Sequence, residues 1–292
     1  LRFVLFFMIL DVASGFILNQ LYFNQKSGKF HRTTYSLAQT EADILLVGTS
    51  HTVRHYIPSI FSDSLNKSCY NVGARGQNLF YCAAVVDQIL ERHQPKQIVM
   101  NIDPDLFTEA AMLDKLAALK PYYRSQEAVQ PYVEKRGPLE KFKLFSSFYT
   151  YNSTLIHILK YSFLPQKDFD GYLPMEGTCK KTFSETDRKL DGPGFKVTEE
   201  QMELLEDMVK NITAKNVQLT FVISPILAGD YIHSQQIESL ARQYEVPLWN
   251  LSLDERFVLK NELFGDQSHL NHQGATLFSS VVSQKLKNDN RL

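Results

Sequence analysis

Five short strand-like runs, which alternate with helix-like stretches outside the region of about 105–195, constrain the fold of the chain most. The runs span four to eight residues each and lie at 42–48, 69–72, 97–102, 217–224 and 247–250. The first run, at 42–48, is continuously apolar and closed by Gly48, which is typical of a strand buried on both faces of a parallel sheet. Repeated alternation of strand and helix therefore predicts an α/β protein with helices on both faces of a mostly parallel sheet.

The helical stretches between these runs set the layers. We predict helices at 52–65, 77–93, 198–215, 232–243 and 271–287. In the second of these, Leu79, Val86 and Leu90 fall on one stripe, as in a helix that packs on a sheet. The expected architecture over residues 41–292 is a three-layer α/β/α fold of the flavodoxin-like type with a five-stranded sheet.

The alternation stops between about 105 and 195. This region is rich in Tyr, Phe and Lys, contains two or three helix-like stretches and ends in a Gly/Pro-rich turn at 191–194. We interpret it as a largely helical insertion. Two roles stay open for it: a lid or substrate collar over one face of the sheet, and a plain structural subdomain. Its aromatic residues either stack on sugar rings or form a core.

The first 22 residues predict a membrane anchor or signal segment. Leu1 to Leu18 is apolar except for Arg2, Asp11 and Ser14, and Asp11 would cost about 2.5–3.5 kcal/mol on insertion. A basic start before an apolar stretch is typical of a signal peptide or an uncleaved signal anchor. We favour the uncleaved anchor over a cleaved signal because no small-x-small cleavage site follows. An amphipathic helix packed on the domain is a further alternative. Residues 23–40 are expected to form a linker.

The charge balance argues against one class of partner. Lys and Arg number 31 and Asp and Glu number 32, which gives a formal net charge of −1. A nucleic-acid-binding protein normally carries a broad basic surface. We therefore expect no nucleic-acid partner.

A serine, a histidine and an aspartate are placed where the topology brings them to one edge of the sheet. Ser50 lies two residues beyond Gly48, and Asp266 and His269 lie in the loop before the last helix. Ligands bind at the carboxyl ends of parallel strands, and both loops belong to that edge. A serine nucleophile needs a base, and the base needs an orienting acid, which Asp266 and His269 supply from one turn. By itself, a Ser before a helix is more often an N-cap.

A turn with two glycines after the second strand offers donors for an oxyanion hole. Gly73 and Gly76 allow a tight turn whose amides face the same edge of the sheet. Backbone amides that point at a developing negative charge stabilise it. We predict the amides of Ser50 and Gly76 as two donors, with a plain strand-to-helix turn as the alternative.

These three blocks resemble the SGNH, or GDSL-type, hydrolase superfamily. Gly48-Thr49-Ser50-His51 is similar to its first block, Gly76 to the glycine of its second block, and Asp266 to His269 to the Asp-x-x-His of its fifth. The likeness covers about 43–103 and 217–286 and leaves out the insertion. Within the superfamily, the chain looks most like membrane-anchored members from Bacteroides-type cell-envelope polysaccharide loci.

The resemblance implies a third oxyanion donor, an Asn side chain in a Gly-x-Asn-Asp block. Here the third strand ends Asn101-Ile102-Asp103-Pro104-Asp105. Asp105 falls near the position of that Asn, and a carboxylate would repel an oxyanion unless it was protonated. Asn101 projects to the same face as Asp103 and is the remaining candidate for the third donor.

Other polar residues at this edge are candidates for substrate binding, namely His51, Arg54, Arg75 and Asp105. The arginines would meet an anionic sugar or phosphate, although single arginines are more often surface ion-pair partners. His51 and His55 are four residues apart, as two metal ligands on a helix would be, but neither a metalloprotease Glu nor a cysteine pair accompanies them. We expect no metal and no cofactor, and we interpret both histidines as helix-surface residues that line the cleft.

The sequence therefore predicts a serine ester hydrolase or O-acyltransferase that acts through Ser50, His269 and Asp266. The resemblance implies an acylated cell-envelope glycan or small acyl ester as substrate and a membrane acyltransferase as partner. It also implies an inner-membrane anchor with the domain in the bacterial periplasm, or a secreted periplasmic protein if the signal is cleaved. The alternative is a catalytically weakened scaffold or glycan-binding component of a polysaccharide modification or export complex.

Overall fold

The computed structural model describes residues 1–108, 112–191 and 194–289, which form two compact units. The sheet unit comprises residues 41–83 and 93–108 with the described residues from 168 onward. The helical unit comprises residues 1–40 and 84–92 with the described part of 109–167. Part of the Gly/Pro-rich turn predicted to end the insertion, residues 192–193, lies outside the described residues.

The sheet has five parallel strands in the order β2-β1-β3-β4-β5. They are β1 (Ile44–Val47), β2 (Cys69–Asn71), β3 (Gln97–Asn101), β4 (Gln218–Ile223) and β5 (Leu248–Asn250). The register places Leu46 opposite both Asn71 and Val99. This confirms the predicted α/β class, and the strand order is that of flavodoxin-like folds.

Twelve α-helices accompany the sheet within the described residues. They are α1 (Arg2–Phe23), α2 (Gly28–Ala38), α3 (Ser50–His55), α4 (Pro58–Leu65), α5 (Leu79–Arg92), α6 (Gln130–Glu134), α7 (Glu140–Lys143), α8 (Ser147–Tyr151), α9 (Leu155–Phe163), α10 (Glu199–Ala214), α11 (Gln235–Gln243) and α12 (His272–Asn288). Short 3-10 turns connect several of them. The helices α3, α4 and α12 pack together in the sheet unit, and α10 packs on β4.

The core of the sheet unit contains apolar residues from the central strands. Ile44, Val99 and Val222 are fully buried in one cluster with Phe278 and Val282 of α12. Removing such side chains from water supplies the main stabilisation of the layer, at roughly 25 cal/mol per Å² of apolar surface. Strands that are covered on both faces read as nearly continuous apolar runs rather than as an alternation of apolar and polar residues.

The prediction of a single helix at 52–65 is wrong, because the chain forms the two helices α3 and α4 there. Tyr56 and Ile57 are extended between α3 and α4, and Pro58 opens α4. The residue before a proline is disfavoured in the helical region, and proline itself is well suited to the first turn of a helix. Pro58 therefore ends one helix and begins the next.

The segment after residue 168 crosses close to the carboxyl end of β2. The Asn71 amide donates to the Asp170 carbonyl at 2.9 Å, and the Leu173 amide donates to the Val53 carbonyl at 3.0 Å. Gly171 has a φ of +90°, and a Cβ built there would lie 1.9 Å from the Asn71 carbonyl oxygen. Only glycine fits this crossing without movement of the backbone.

The helical unit contains residues that the sequence predicted as anchor, linker and insertion. Within the predicted linker, residues 28–38 form α2, whose Phe30 and Leu37 are buried. Phe30 stacks on Tyr22 at 4.7 Å between ring centroids. Helix α1 is long and apolar enough to cross a membrane by length and composition.

Gly171→Ala is predicted to destabilise the sheet unit much more than Gly177→Ala does. Both glycines have a left-handed φ, but a Cβ at Gly177 meets nothing within 4 Å. Left-handed strain alone costs roughly 1–2 kcal/mol, so Gly177→Ala should lower the free energy of unfolding by about that amount. Gly171→Ala adds a steric clash of about 1–3 kcal/mol. Chemical denaturation of both variants measures the difference, and equal losses would contradict the close crossing.

Candidate active site

Ser50 is the first residue of α3 and follows β1 through Gly48 and Thr49. Gly48 has a φ of +147°, and a Cβ there would lie 2.2 Å from Thr52 Oγ1. Thr49 is the N-cap residue of α3, so the alternative of Ser50 as an N-cap does not apply. The Ser50 side chain is half-buried and turns instead toward the loop before α12.

Ser50, His269 and Asp266 form a continuous hydrogen-bond chain. The Ser50 Oγ lies 2.9 Å from His269 Nε2. The other ring nitrogen, Nδ1, lies 2.9 and 3.0 Å from the two carboxylate oxygens of Asp266. With Asp266 as acceptor, the Nδ1 proton is held there and Nε2 accepts from the serine hydroxyl. This is the arrangement of nucleophile, base and orienting acid used by serine hydrolases.

The loop that carries Asp266 and His269 is closed by its own backbone. Gly265 N donates to the His269 carbonyl at 2.9 Å, and the amides of Ser268 and His269 both donate to Asp266 Oδ1 at 2.8 Å. The Asn271 side chain caps α12 by accepting from the Gly274 amide at 3.0 Å. The Asp266 carboxylate is therefore fixed by three donors of one turn, the amides of Ser268 and His269 and the His269 Nδ1. Burial acts to raise the pKa of Asp266, but these donors outweigh it and hold the pKa below 3.8.

His55 connects α3 to this loop. Its Nε2 accepts the Leu270 amide at 3.1 Å, and its carbonyl accepts Ser279 Oγ at 3.1 Å. Burial, above all, lowers the pKa of His55 well below 6.5, so the ring is the neutral acceptor that this bond needs. His55 is fully buried and His51 is 4% exposed. The expectation that both are helix-surface residues lining the cleft is wrong, because α3 is covered by α12.

The two predicted oxyanion donors are the backbone amides of Ser50 and Gly76. Ser50 opens α3, so its amide has no acceptor within the helix. Gly76 is exposed and has a φ of +68°. Among the residues that the structure describes, no backbone acceptor is paired with the Gly76 amide outside helices and strands.

Asn101, the remaining candidate for the third donor, is not open to an oxyanion in this structure. Asn101 is fully buried, its Oδ1 accepts the Tyr56 hydroxyl at 2.8 Å, and its Nδ2 donates to Asp103 Oδ2 at 2.8 Å. Asp105 is exposed in the 3-10 turn that follows β3. The side chain that the resemblance implies in the third block is therefore replaced by a buried polar network.

A second histidine–carboxylate pair lies beside the first and was not predicted. His51 Nδ1 lies 3.4 Å from Asp103 Oδ2, and both side chains are buried. Burial disfavours charge on His51, but the carboxylates of Asp103, Asp105 and Asp266 outweigh it and raise its pKa above 6.5. Asp103 stood out in sequence as a polar residue after a strand end, and this was the available signal.

The His51 ring lies 5.2 Å from the His269 ring, centroid to centroid. Burial is the largest cause that lowers the pKa of His269 below 6.5. The positive charges of His51 and Arg54 act in the same direction, and Asp266 opposes them. His269 is thus neutral, and able to act as a base, down to a pH below 6.5.

The two arginines predicted to bind substrate, Arg54 and Arg75, differ in their surroundings. Arg54 Nη1 donates to the carbonyls of Leu173 and Pro174 at 2.8 and 2.7 Å, so it anchors the crossing segment. Arg75 is exposed on the glycine turn beside Gly76. Across the described ranges, no three His, Cys, Asp or Glu side chains are grouped so as to hold a metal ion.

Comparison with known proteins finds similarity only among solved structures. No family model matches the chain, and no curated protein sequence matches it. The lipase/acylhydrolase from Enterococcus faecalis is 12% identical, with a TM-score of 0.41 over 84% of this chain and 95% of its own. A GDSL-like lipase from Bacteroides thetaiotaomicron is 11% identical, with a TM-score of 0.42 over 89% and 97%. At these TM-scores we draw function from the geometry of the site itself.

His51→Gln is predicted to move the acid limb of serine reactivity to higher pH. In the unaltered protein, reactivity should fall as His269 becomes protonated, with a midpoint below pH 6.5 because the folded pKa is lowered. Loss of the positive His51 removes one cause of that lowering and raises the pKa of His269. The rate of labelling by a fluorophosphonate between pH 4.5 and 8 measures the midpoint.

The matched control is His272→Gln, three residues beyond His269, where Nδ1 contacts the Tyr172 hydroxyl at 3.0 Å. Its acid limb should coincide with that of the unaltered protein. A midpoint that stays in place in His51→Gln would show that His51 carries no charge beside the base.

Proposed function

We propose that the chain is a serine acyl-ester hydrolase or O-acyltransferase. The observation that carries the proposal is the Ser50 Oγ to His269 Nε2 distance of 2.9 Å, with Asp266 on the opposite ring nitrogen. A scaffold or binding module has no need of a nucleophile, a base and an orienting acid in one hydrogen-bond chain.

The reaction begins when Ser50 Oγ attacks an acyl carbonyl and His269 Nε2 takes the hydroxyl proton. The tetrahedral oxyanion lies against the amides of Ser50 and Gly76. His269 then returns the proton to the leaving alcohol, and the acyl group stays on Ser50. Asp266 holds the ring in the required tautomer and stabilises the imidazolium that forms in between.

The acyl-enzyme is resolved either by water or by a second hydroxyl. Water makes the protein an esterase, whereas a sugar hydroxyl makes it a transferase. The proposed substrate is an O-acylated glycan of the bacterial cell envelope. Support for it comes from the resemblance of the sequence to envelope-polysaccharide members of the superfamily and from the apolar helix α1, which is compatible with a membrane anchor.

Ser50 is predicted to react with a fluorophosphonate as a single, stoichiometric adduct. Ser50→Ala should abolish the adduct, and turnover of an aryl acetate should fall by about 10⁴-fold or more. Asp266→Asn should lower turnover by about 10⁴-fold, because the wrong tautomer of His269 is then favoured. Intact mass and initial rates provide the measurements.

Ser280→Ala is the matched control, since the Ser280 hydroxyl bonds only within α12 to the Thr276 carbonyl in the described structure. It should keep both the adduct and the rate. A folded protein without any adduct would refute the activated serine and favour the scaffold or glycan-binding alternative, for which the buried Asn101 is the supporting observation.

Acyl transfer and hydrolysis are separated by the fate of the acyl group. With an acetylated oligosaccharide donor and an unacetylated acceptor, a transferase is expected to yield acetylated acceptor, detected by mass, in excess of free acetate. An esterase yields acetate alone at every acceptor concentration. Absence of both products with an intact fluorophosphonate adduct would remove the glycan from the proposal but keep the activated serine.

A further inference from the structure

The exposed apolar side chains are concentrated in the helical unit. Among the described residues, all the large hydrophobic side chains that are exposed lie in that unit except Phe169, Leu190 and Tyr231. Soluble surfaces carry such side chains singly, and their accumulation marks a surface that contacts something apolar. Helix α1 accounts for only part of them.

A second group lies between residues 139 and 164, on α7, α8 and α9 and the turns between them. We call six of these side chains the apolar face: Phe142, Phe145, Phe148, Ile156, Leu159 and Phe163. Ile156 and Phe163 are 80% and 79% exposed. On α9, Ile156, Leu159 and Phe163 have helical spacing, while Ile158 is buried on the opposite side. A helix that is apolar on its inner and outer sides is typical of a lipid-facing position.

Direct contacts join α8, which carries Phe148 of the apolar face, to α1. Asp11, halfway along α1, accepts from Ser146 Oγ and from the amides of Ser147 and Phe148, each at 2.9 Å. One helical turn after Asp11, a Cβ built at Gly15 would lie 2.0 Å from Ser147 Oγ. One turn after Gly15, Asn19 Nδ2 donates to the Tyr151 hydroxyl at 2.9 Å. One stripe of α1 therefore packs on α8.

These contacts place α8 level with the middle of α1. A helix of 22 residues is about 33 Å long, close to the hydrocarbon thickness of a bilayer. An apolar layer that surrounds the middle of α1 would therefore also surround Phe148, whereas α9 lies near the end of α1, where the Gln25 side chain donates to the Ile158 carbonyl at 3.0 Å. The three donors around Asp11 satisfy the one carboxylate that would otherwise oppose this position.

The charges of the helical unit fit an anionic bilayer surface. Its sequence ranges contain 14 Lys and Arg against 8 Asp and Glu, whereas the rest of the chain contains 17 against 24. Between 139 and 164, Lys141, Lys143 and Lys160 are exposed, and the single acidic residue, Glu140, is buried and paired with Arg136. Long basic side chains among aromatic and aliphatic ones are typical of helices at a membrane interface.

We propose that the apolar face is a second membrane contact, which inserts into the same anionic bilayer as α1. The helical insertion is then a lipid-binding element in addition to the N-terminal helix. This is independent of the chemistry at Ser50, and its experiment has a separate readout.

The test uses the full chain in vesicles of phosphatidylcholine and phosphatidylglycerol. Single cysteines at Phe142, Phe148, Ile156 and Phe163 are labelled with an environment-sensitive fluorophore in a Cys179→Ser background, since Cys69 and Cys82 are buried. Ile9→Cys on α1 is the lipid reference, and Tyr231→Cys is the exposed aromatic control in the sheet unit. Each variant must melt at the temperature of its parent.

The expected result is loss of most fluorescence at the four sites and at Ile9 when the lipid chains carry doxyl groups, with little loss to aqueous iodide. Tyr231→Cys should show the reverse. Quenching of the four sites by iodide, as at Tyr231, would overturn the proposal and leave α1 as the membrane contact. Protection from both quenchers would also overturn it, in favour of a protein partner. Absence of lipid quenching at Ile9 would overturn it as well.

A second measurement needs no substitution in the apolar face. Phosphatidylglycerol with a diazirine on its acyl chain is photolysed with the unaltered chain, and the adducts are mapped by mass spectrometry. Adducts within 139–164 as well as in α1 are expected. Adducts confined to α1 would overturn the proposal even if the cysteine variants misfold.

Discussion

The hydrogen bond from the Leu270 amide to His55 Nε2 is the interaction on which the candidate site depends. It joins α3, which carries Ser50, to the loop that carries His269, across 215 positions of sequence. Ser50 lies five residues before His55, and His269 lies directly before Leu270. One bond, supported by Ser279 from α12, therefore sets the distance between nucleophile and base. It requires a neutral imidazole, which burial in the packing of α3 against α12 ensures.

The elements that the sequence predicted well are those that depend on local pattern. The apolar residues of β1 and β3 are buried on both faces of the sheet, as is typical of parallel sheets. The trio of Ser50, Asp266 and His269 was predictable because Asp-x-x-His closes within one turn and because parallel strands bring both loops to one edge. Pro58 was a local signal for two helices that the periodicity of 52–65 concealed.

What could not be predicted depends on contacts between distant segments. The Asn101 side chain accepts from the Tyr56 hydroxyl and donates to Asp103. The spacing of residues in the sequence does not reveal these two hydrogen bonds. In the helical unit, α2 forms in a polar segment because Phe30 and Leu37 find a buried place beside α1 and the 3-10 turn at Tyr122. Tyr122 lies far along the chain from α2. The local sequence does not show this contact, and the segment therefore reads as a linker by its composition.

The two histidine–carboxylate pairs, His269 with Asp266 and His51 with Asp103, differ in the groups that stabilise the charge of each member. Asp103 accepts from Thr49 Oγ1, Asn101 Nδ2 and the Leu106 amide at 2.8–3.1 Å, so its negative charge is stabilised even apart from His51. His51 has no comparable support, since its burial opposes charge and only carboxylates offset it. The donors gathered at the end of β3 keep Asp103 ionised, and its carboxylate favours protonation of His51. A protonated His51 favours a nearby oxyanion and disfavours the imidazolium of His269, which leaves Asp266 to stabilise the latter.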